Sequence, residues 1–228
     1  MDVKVISIQR VLDELYPTPP VPLNNLNDFT FLVAVVLSAQ TTDGKVNDVT
    51  KELFTHASTP HAMAKLSENF ILGIIQPVGL APKKASYVRN LSIKLVEEFD
   101  GKVPATFAEL ESLPGVGHKT ASVIMSQIFG IPSIAVDTHV HRLALRWGLS
   151  KDQKNVDNVQ KDLCKLFPED CWNKVLNIIH TMQFLCAFIF HRVAAQLHLQ
   201  MIYFGREYCT AKAHVVSQAP DVVSVALS

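Results

Sequence analysis

Lys119 and Asp137 are the residues of this sequence best suited to chemistry. A lysine amine can add to an electrophilic carbon, and a carboxylate can stabilise a developing cation or move a proton. Alone, each residue is ordinary, because lysines populate solvated helix faces and aspartates cap helices. Their surroundings make the difference. Leu113-Pro114-Gly115-Val116-Gly117 stands just before Lys119 and reads as a tight turn between two helices. Its glycines permit positive φ and let a phosphate approach the backbone. Amides of the turn and of the next helix's first residues then face outward at a positive helix end, which is an anion site. Lys119 sits in that first turn, where a like-signed helix end favours the nucleophilic neutral amine. Asp137 stands where a helix N-cap belongs. One of its oxygens can accept amide hydrogen bonds while the other faces a ligand.

The elements that must carry these groups are helical almost throughout. Apolar periodicity predicts helices over 5–16, 43–56, 60–65, 68–76, 82–99, 106–112, 118–129 and 155–166. Another starts at Asp137, with Val140, Leu143, Ala144 and Trp147 on one face and Gly148 ending it. Pro17, Pro19, Pro20 and Pro22 break the chain after the first helix. Residues 29–39, FTFLVAVVLSA, fit a buried helix or a strand. Ser133–Val136 reads as extended.

Composition narrows the function classes. Hydrophobic residues make up 48% of the 228, enough for a sizeable core, and charged residues only 18%, which argues against long disordered tails. The formal charge is zero, unlike proteins that neutralise phosphates with Lys and Arg. An anion site built from backbone amides answers that objection. The four cysteines, Cys164, Cys171, Cys186 and Cys209, form no C-x-x-C pair and read as reduced thiols. His139 and His141 lie two residues apart, off a common helix face, so no metal site is expected there. Residues 176–197 are apolar enough to raise a membrane span, yet they carry His180, Gln183, His191, Arg192 and Gln196. Polar groups recurring through the segment favour a buried or amphipathic helix. The N-terminus shows neither a secretory nor a transit composition.

Residues 113–149, LPGVGHKTASVIMSQIFGIPSIAVDTHVHRLALRWGL, resemble the signature of the endonuclease III family of helix-hairpin-helix DNA glycosylases. LSAQTTD at 37–43 and VGLAPKKA at 78–85 resemble two further family stretches, in the same order. The resemblance implies an all-α, two-lobed fold: a helical barrel over 22–132 carrying the hairpin, and a second lobe from 1–21 with 133–228. It implies a base-excision repair enzyme that removes oxidised pyrimidines and cleaves the strand at the resulting abasic site. Lys119 would attack the sugar C1′ and form a Schiff base, and Asp137 would support the attack. Gln40 would fill the gap left by the flipped nucleotide, and Leu80 would be the apolar wedge. Gly115, Val116, Gly117, Thr120 and His139 complete the DNA-contacting set, with His118 replacing a frequent Arg or Lys. DNA would lie in the cleft between Lys119 and Asp137. The expected partner is damaged double-stranded DNA, bound by a monomer inside the cell at the DNA, without a membrane.

Two departures stand out. Many family members bind a [4Fe–4S] cluster through four C-terminal cysteines, and FGREYC at 204–209 matches the approach to the first. Cys209 has no cysteine after it; the family spacing lands on Val216, Ala219 and Val225. One thiolate cannot hold a cluster that needs four, so no cluster or other cofactor is expected. Residues 176–197 read as an insertion, either an added helix, a substitute for the cluster's stabilising role, or the product of aberrant splicing. Two alternatives stay open: a monofunctional glycosylase of the same superfamily, and a catalytically degenerate DNA-binding protein.

Overall fold

The computed structural model describes residues 3–131, 133–167 and 196–210. The regular structure of these residues is helical, with no β-strand among them. The chain divides into two compact units, 21–124 and 1–20 with 125–228.

In the 21–124 unit, α2 (Asp28–Ser38) lies at the centre. Every residue from Phe29 to Leu37 is buried, so packing on all sides overrides the weak helix propensity of its β-branched residues. The helix start is specified locally. The Asn27 side chain accepts from Thr30 N–H at 2.9 Å, and Thr30 Oγ1 accepts from Asn27 N–H at 2.9 Å. This reciprocal capping box decides for helix where periodicity left strand open.

α2 packs on α3 (Asp43–His56) and α6 (Ala81–Glu98), and the same unit holds α4 (Pro60–Lys65) and α5 (Glu68–Ile75). Thr59, Ser67 and Thr106 cap α4, α5 and α7 (Phe107–Glu111) through their hydroxyls. The long α6 packs against α4, α5 and α2. Its Val88, Leu91 and Leu95 face inward. Lys94 Nζ donates to the Ser112 carbonyl at 3.1 Å and so holds the end of α7. α8 (His118–Gln127) begins in this unit.

The other unit contains α1 (Val3–Leu15), α9 (Thr138–Arg146), α10 (Val156–Leu166) and α11 (Gln196–Glu207). Their apolar faces meet in one core that includes Leu12, Val140, Leu143, Trp147, Leu163, Phe167, Met201 and Phe204. α11 packs on α9 and α1. A polar seam joins α1 to α11: Gln200 Nε2 donates to Asp13 Oδ1 at 3.1 Å and to the Tyr16 carbonyl at 3.0 Å. Tyr16 donates its phenol to Glu207 at 2.5 Å. Burial first, and then that carboxylate, push the phenol far above its ordinary pKa. Of the apparent insertion, 176–195 lie outside the described residues, whereas Gln196 and Leu197 open α11. No described helix is long and apolar enough to cross a membrane.

Candidate functional site

The turn between α7 and α8 is anchored by Leu113 and Val116, which are 2% and 6% exposed. Val116 therefore meets the core with its side chain, and its N–H is used internally, donating to the Leu113 carbonyl at 3.1 Å. Gly115 has φ +82°, and a Cβ there would lie 2.7 Å from Tyr87 Cδ2. Conformation and space both demand glycine. Gly117 differs from the sequence expectation. Its φ is not positive, and a Cβ there would meet nothing within 4 Å. The protein's own packing leaves that place open.

α8 makes its first helical bond from Ala121 N–H to the Gly117 carbonyl at 2.9 Å. The amides of His118, Lys119 and Thr120 are therefore left without helical acceptors at the positive end of α8. The Lys119 side chain is exposed and Thr120 half-buried, while Ala121 and Ile124 turn into the core. His118 is held back against α7. Its Nδ1 lies 2.7 Å from Glu111 Oε1, and its ring stacks on Phe107 with centroids 5.4 Å apart. No motif or periodicity announces this engagement.

Gln40 and Leu80 lie on two neighbouring turns of the same unit. Both are exposed, and both are non-glycine residues in the left-handed region, with φ +55° and +60°. Leu80 directly precedes α6 and is 57% exposed, so it is not a core residue. Gln40 follows Ala39, the C-cap of α2. The two turns touch: a Cβ on Gly79 would lie 3.2 Å from the Gln40 carbonyl oxygen, and Gly79 N–H donates to Thr41 Oγ1 at 3.3 Å.

In the other unit, Asp137 caps α9. Oδ1 alone accepts both amides, from His139 at 2.9 Å and Val140 at 2.8 Å. Oδ2 takes no part in the cap. Ile134, Ala135 and Val136 are buried and fix the approach to the cap. His139 is half-buried beside Arg142, whose Nη2 lies 3.0 Å from His139 Nδ1. Desolvation by burial holds the imidazole pKa below its usual value, and the Arg142 charge adds to the effect against the opposing pull of Asp137. A hydrogen bond to the Gly205 backbone also opposes the shift, and since Arg142 can only donate, its contact with Nδ1 is a hydrogen bond when that nitrogen carries no proton. Arg142 also donates to the carbonyls of Cys209 and Gly205 at 2.8 and 2.9 Å. A Cβ on Gly205 would lie 3.1 Å from His139 Cβ, so α11 presses closely on this residue.

Cys209 is fully buried. Its sulfur accepts from Arg146 Nη1 at 2.9 Å, and no cysteine follows it in the chain. Among the described residues no group of three His, Cys, Asp or Glu side chains is arranged to hold a metal ion. The donor set that a [4Fe–4S] cluster takes in the family pattern does not fit these residues.

Residues 33–169 match the family described as HhH-GPD superfamily base excision DNA repair protein. The chain is 45% identical to endonuclease III of Treponema pallidum over 166 residues, covering 72% of this chain and 78% of that one. It is 41% identical to endonuclease III of Escherichia coli K12 over 167 residues, 73% and 79% of the two chains. Among solved structures it is similar to a non-covalent endonuclease III–DNA complex, with TM-score 0.81, 33% identity and coverage of 99% and 95%. A trapped endonuclease III–DNA covalent intermediate aligns with TM-score 0.78, 36% identity and coverage of 96% and 94%.

The two hairpin glycines should separate in a stability measurement. Gly115→Ala is expected to lower the urea-unfolding free energy by about 1–3 kcal/mol, from backbone strain and overpacking on Tyr87. Gly117→Ala should stay within about 0.5 kcal/mol of wild type, as an open surface site does. Equal losses at both positions would contradict the different packing described for them.

Proposed function

The chain belongs to the HhH-GPD superfamily of base excision DNA repair proteins and, within it, to the endonuclease III family, and from that membership we propose that it is a bifunctional glycosylase and abasic-site lyase acting on oxidised pyrimidines in duplex DNA. The observation that carries the reading is the exposed Lys119 amine beside the open amides at the start of α8. Those amides and the uncluttered Gly117 suit a phosphate of the DNA backbone. Such contacts position the duplex and carry no base information.

The chemistry assigned to Lys119 is nucleophilic. Its nitrogen lone pair forms a bond to C1′ while the glycosidic C–N bond breaks, and the base departs with that electron pair and a proton. Opening of the sugar ring gives a protonated Schiff base. Loss of a C2′ proton then expels the 3′ phosphate oxygen and cuts the strand. Water hydrolyses the imine and returns the amine. Asp137, whose Oδ2 takes no part in the α9 cap, stabilises positive charge on the sugar and accepts a proton from the lysine. Gln40 and Leu80 are assigned to the duplex as plug and wedge. Such plugs offset the few kcal/mol that unstacking a nucleotide costs. His139, held beside Arg142, supports the Asp137 cap.

Lys119→Gln should abolish strand scission at abasic sites, measured on a labelled duplex by denaturing gel. Asp137→Asn keeps an oxygen acceptor for the α9 amides, so it should fold normally while single-turnover scission slows by about 10²-fold or more. Scission by Lys119→Gln at the wild-type rate would exclude the assignment. We also propose that the protein works without an iron–sulfur cluster. The aerobically and anaerobically purified protein should contain no stoichiometric iron and show no broad absorbance near the visible blue. Four iron atoms per chain would overturn this.

A further inference from the structure

Lys84 is a buried charge, 3% exposed, that the reaction above does not use. It lies one turn into α6, and its ammonium reaches across to the end of α2. There it donates to the Leu37 carbonyl at 2.8 Å, to the Ala39 carbonyl at 2.5 Å and to Thr41 Oγ1 at 3.1 Å. All three N–H donors of the ammonium are thus accounted for. The acceptors bracket Gln40 on both sides. Two of them are carbonyls at the C-terminal end of α2, where backbone acceptors lack helical partners and the helix end is negative. Lys84 thus closes α2 from a different helix.

That closure has a geometric consequence. Gln40 holds a left-handed backbone conformation that a non-glycine residue keeps only when its surroundings impose it. Thr41 Oγ1, gripped by Lys84, also accepts from Gly79 N–H, next to Leu80. Leu80 in turn passes its own carbonyl to the Lys84 N–H at 3.0 Å. Residue 84 therefore holds the Leu80 turn through its backbone and the Gln40 turn through its side chain, with Thr41 Oγ1 joining the two. Further along the same helix, Tyr87 lies under Gly115, so Leu80 just before α6 and Lys84 and Tyr87 within it serve the two exposed turns and the hairpin together. Desolvation holds the Lys84 pKa below the ordinary lysine value, while three oxygens directed at the nitrogen favour its charged form.

We propose that Lys84 is a positioning residue for duplex engagement: it sets Gln40 and Leu80 in register as a preformed pair. The proposal rests on the assignment of Gln40 and Leu80 to the duplex. Because Lys84 acts through those two residues, its loss should harm cleavage of duplex DNA, where a nucleotide must be extruded, more than cleavage of a single strand.

The test measures single-turnover scission of an abasic site in duplex and in single-stranded DNA for Lys84→Met, Lys84→Arg and Thr41→Val, with Gln40→Ala and Leu80→Ala alongside. Lys84→Met should lose about tenfold or more on the duplex, as expected when charge-assisted hydrogen bonds are removed, and less than about threefold on the single strand. Lys84→Arg should recover part of the duplex rate, and Thr41→Val should show a smaller defect in the same direction. If Lys84→Met fails to fold, judged by circular dichroism, Thr41→Val decides by the same duplex-to-single-strand ratio. Unchanged ratios in the folded Lys84 and Thr41 variants, with Gln40→Ala and Leu80→Ala impaired on the duplex, would overturn the proposal. If Gln40→Ala and Leu80→Ala themselves cleave duplex at the wild-type rate, the assignment of that pair fails, and the role proposed for Lys84 fails with it.

Discussion

At Gly115 the backbone runs against the Tyr87 ring with no room for a Cβ, in the turn that leads into α8. Leu113 and Val116 turn inward on either side of it. The chain leaves the turn so that Gly117 accepts the first helical bond of α8, and the next three amides have no helical partner. In water those amides are solvated at little cost. Next to a phosphate they supply directional donors and a positive helix end. A chain with no net charge can in this way hold a polyanion, and Lys119 is carried into place by the same turn.

Two helix starts serve the proposed chemistry in opposite ways. That of α8 stays open. That of α9 is closed by Asp137, but through one oxygen only. Such a cap contributes about 1 kcal/mol to stability, and it also fixes the carboxylate's direction, so folding and the proposed chemistry draw on one side chain. The Arg142 guanidinium holds His139 on α9 and the backbone carbonyls of Gly205 and Cys209 near the end of α11. Arg146 occupies the Cys209 sulfur. In this unit, arginine donors tie the end of α11 to α9 at the cysteine that matches a cluster ligand in the family pattern.

The sequence made much of this legible, for identifiable reasons. Helix positions up to residue 166 followed from apolar periodicity, whereas the helix over 196–207 was not read from the sequence; the Asp137 cap followed from an acidic residue preceding a run with one apolar face. The helix at 28–38 was ambiguous, because a segment buried on every side shows no period; the Asn27/Thr30 capping box held the answer. Gly115 was readable as a turn residue, yet Gly117 was assigned a freedom that its backbone does not use. Gln40 and Leu80 are left-handed without being glycines, so neither residue type announced its conformation. Lys84 was hidden for a different reason. A lysine in a helical pattern reads as a solvated face, and only tertiary structure shows its three acceptors, which lie more than forty positions earlier in the chain. Resemblance to a family gave Gln40 and Leu80 roles, whereas Lys84 lay inside the matched 78–85 stretch without one.

The central claim is that the Lys119 amine forms the covalent bond to the sugar. Borohydride reduction during reaction with an abasic duplex, followed by proteolysis and mass-spectrometric mapping of the cross-linked peptide, tests it at the level of one atom. A stable adduct mapped to Lys119 is expected. An adduct mapped to Lys83, Lys84 or the N-terminal amine, or no adduct under conditions where the strand is cut, would contradict it.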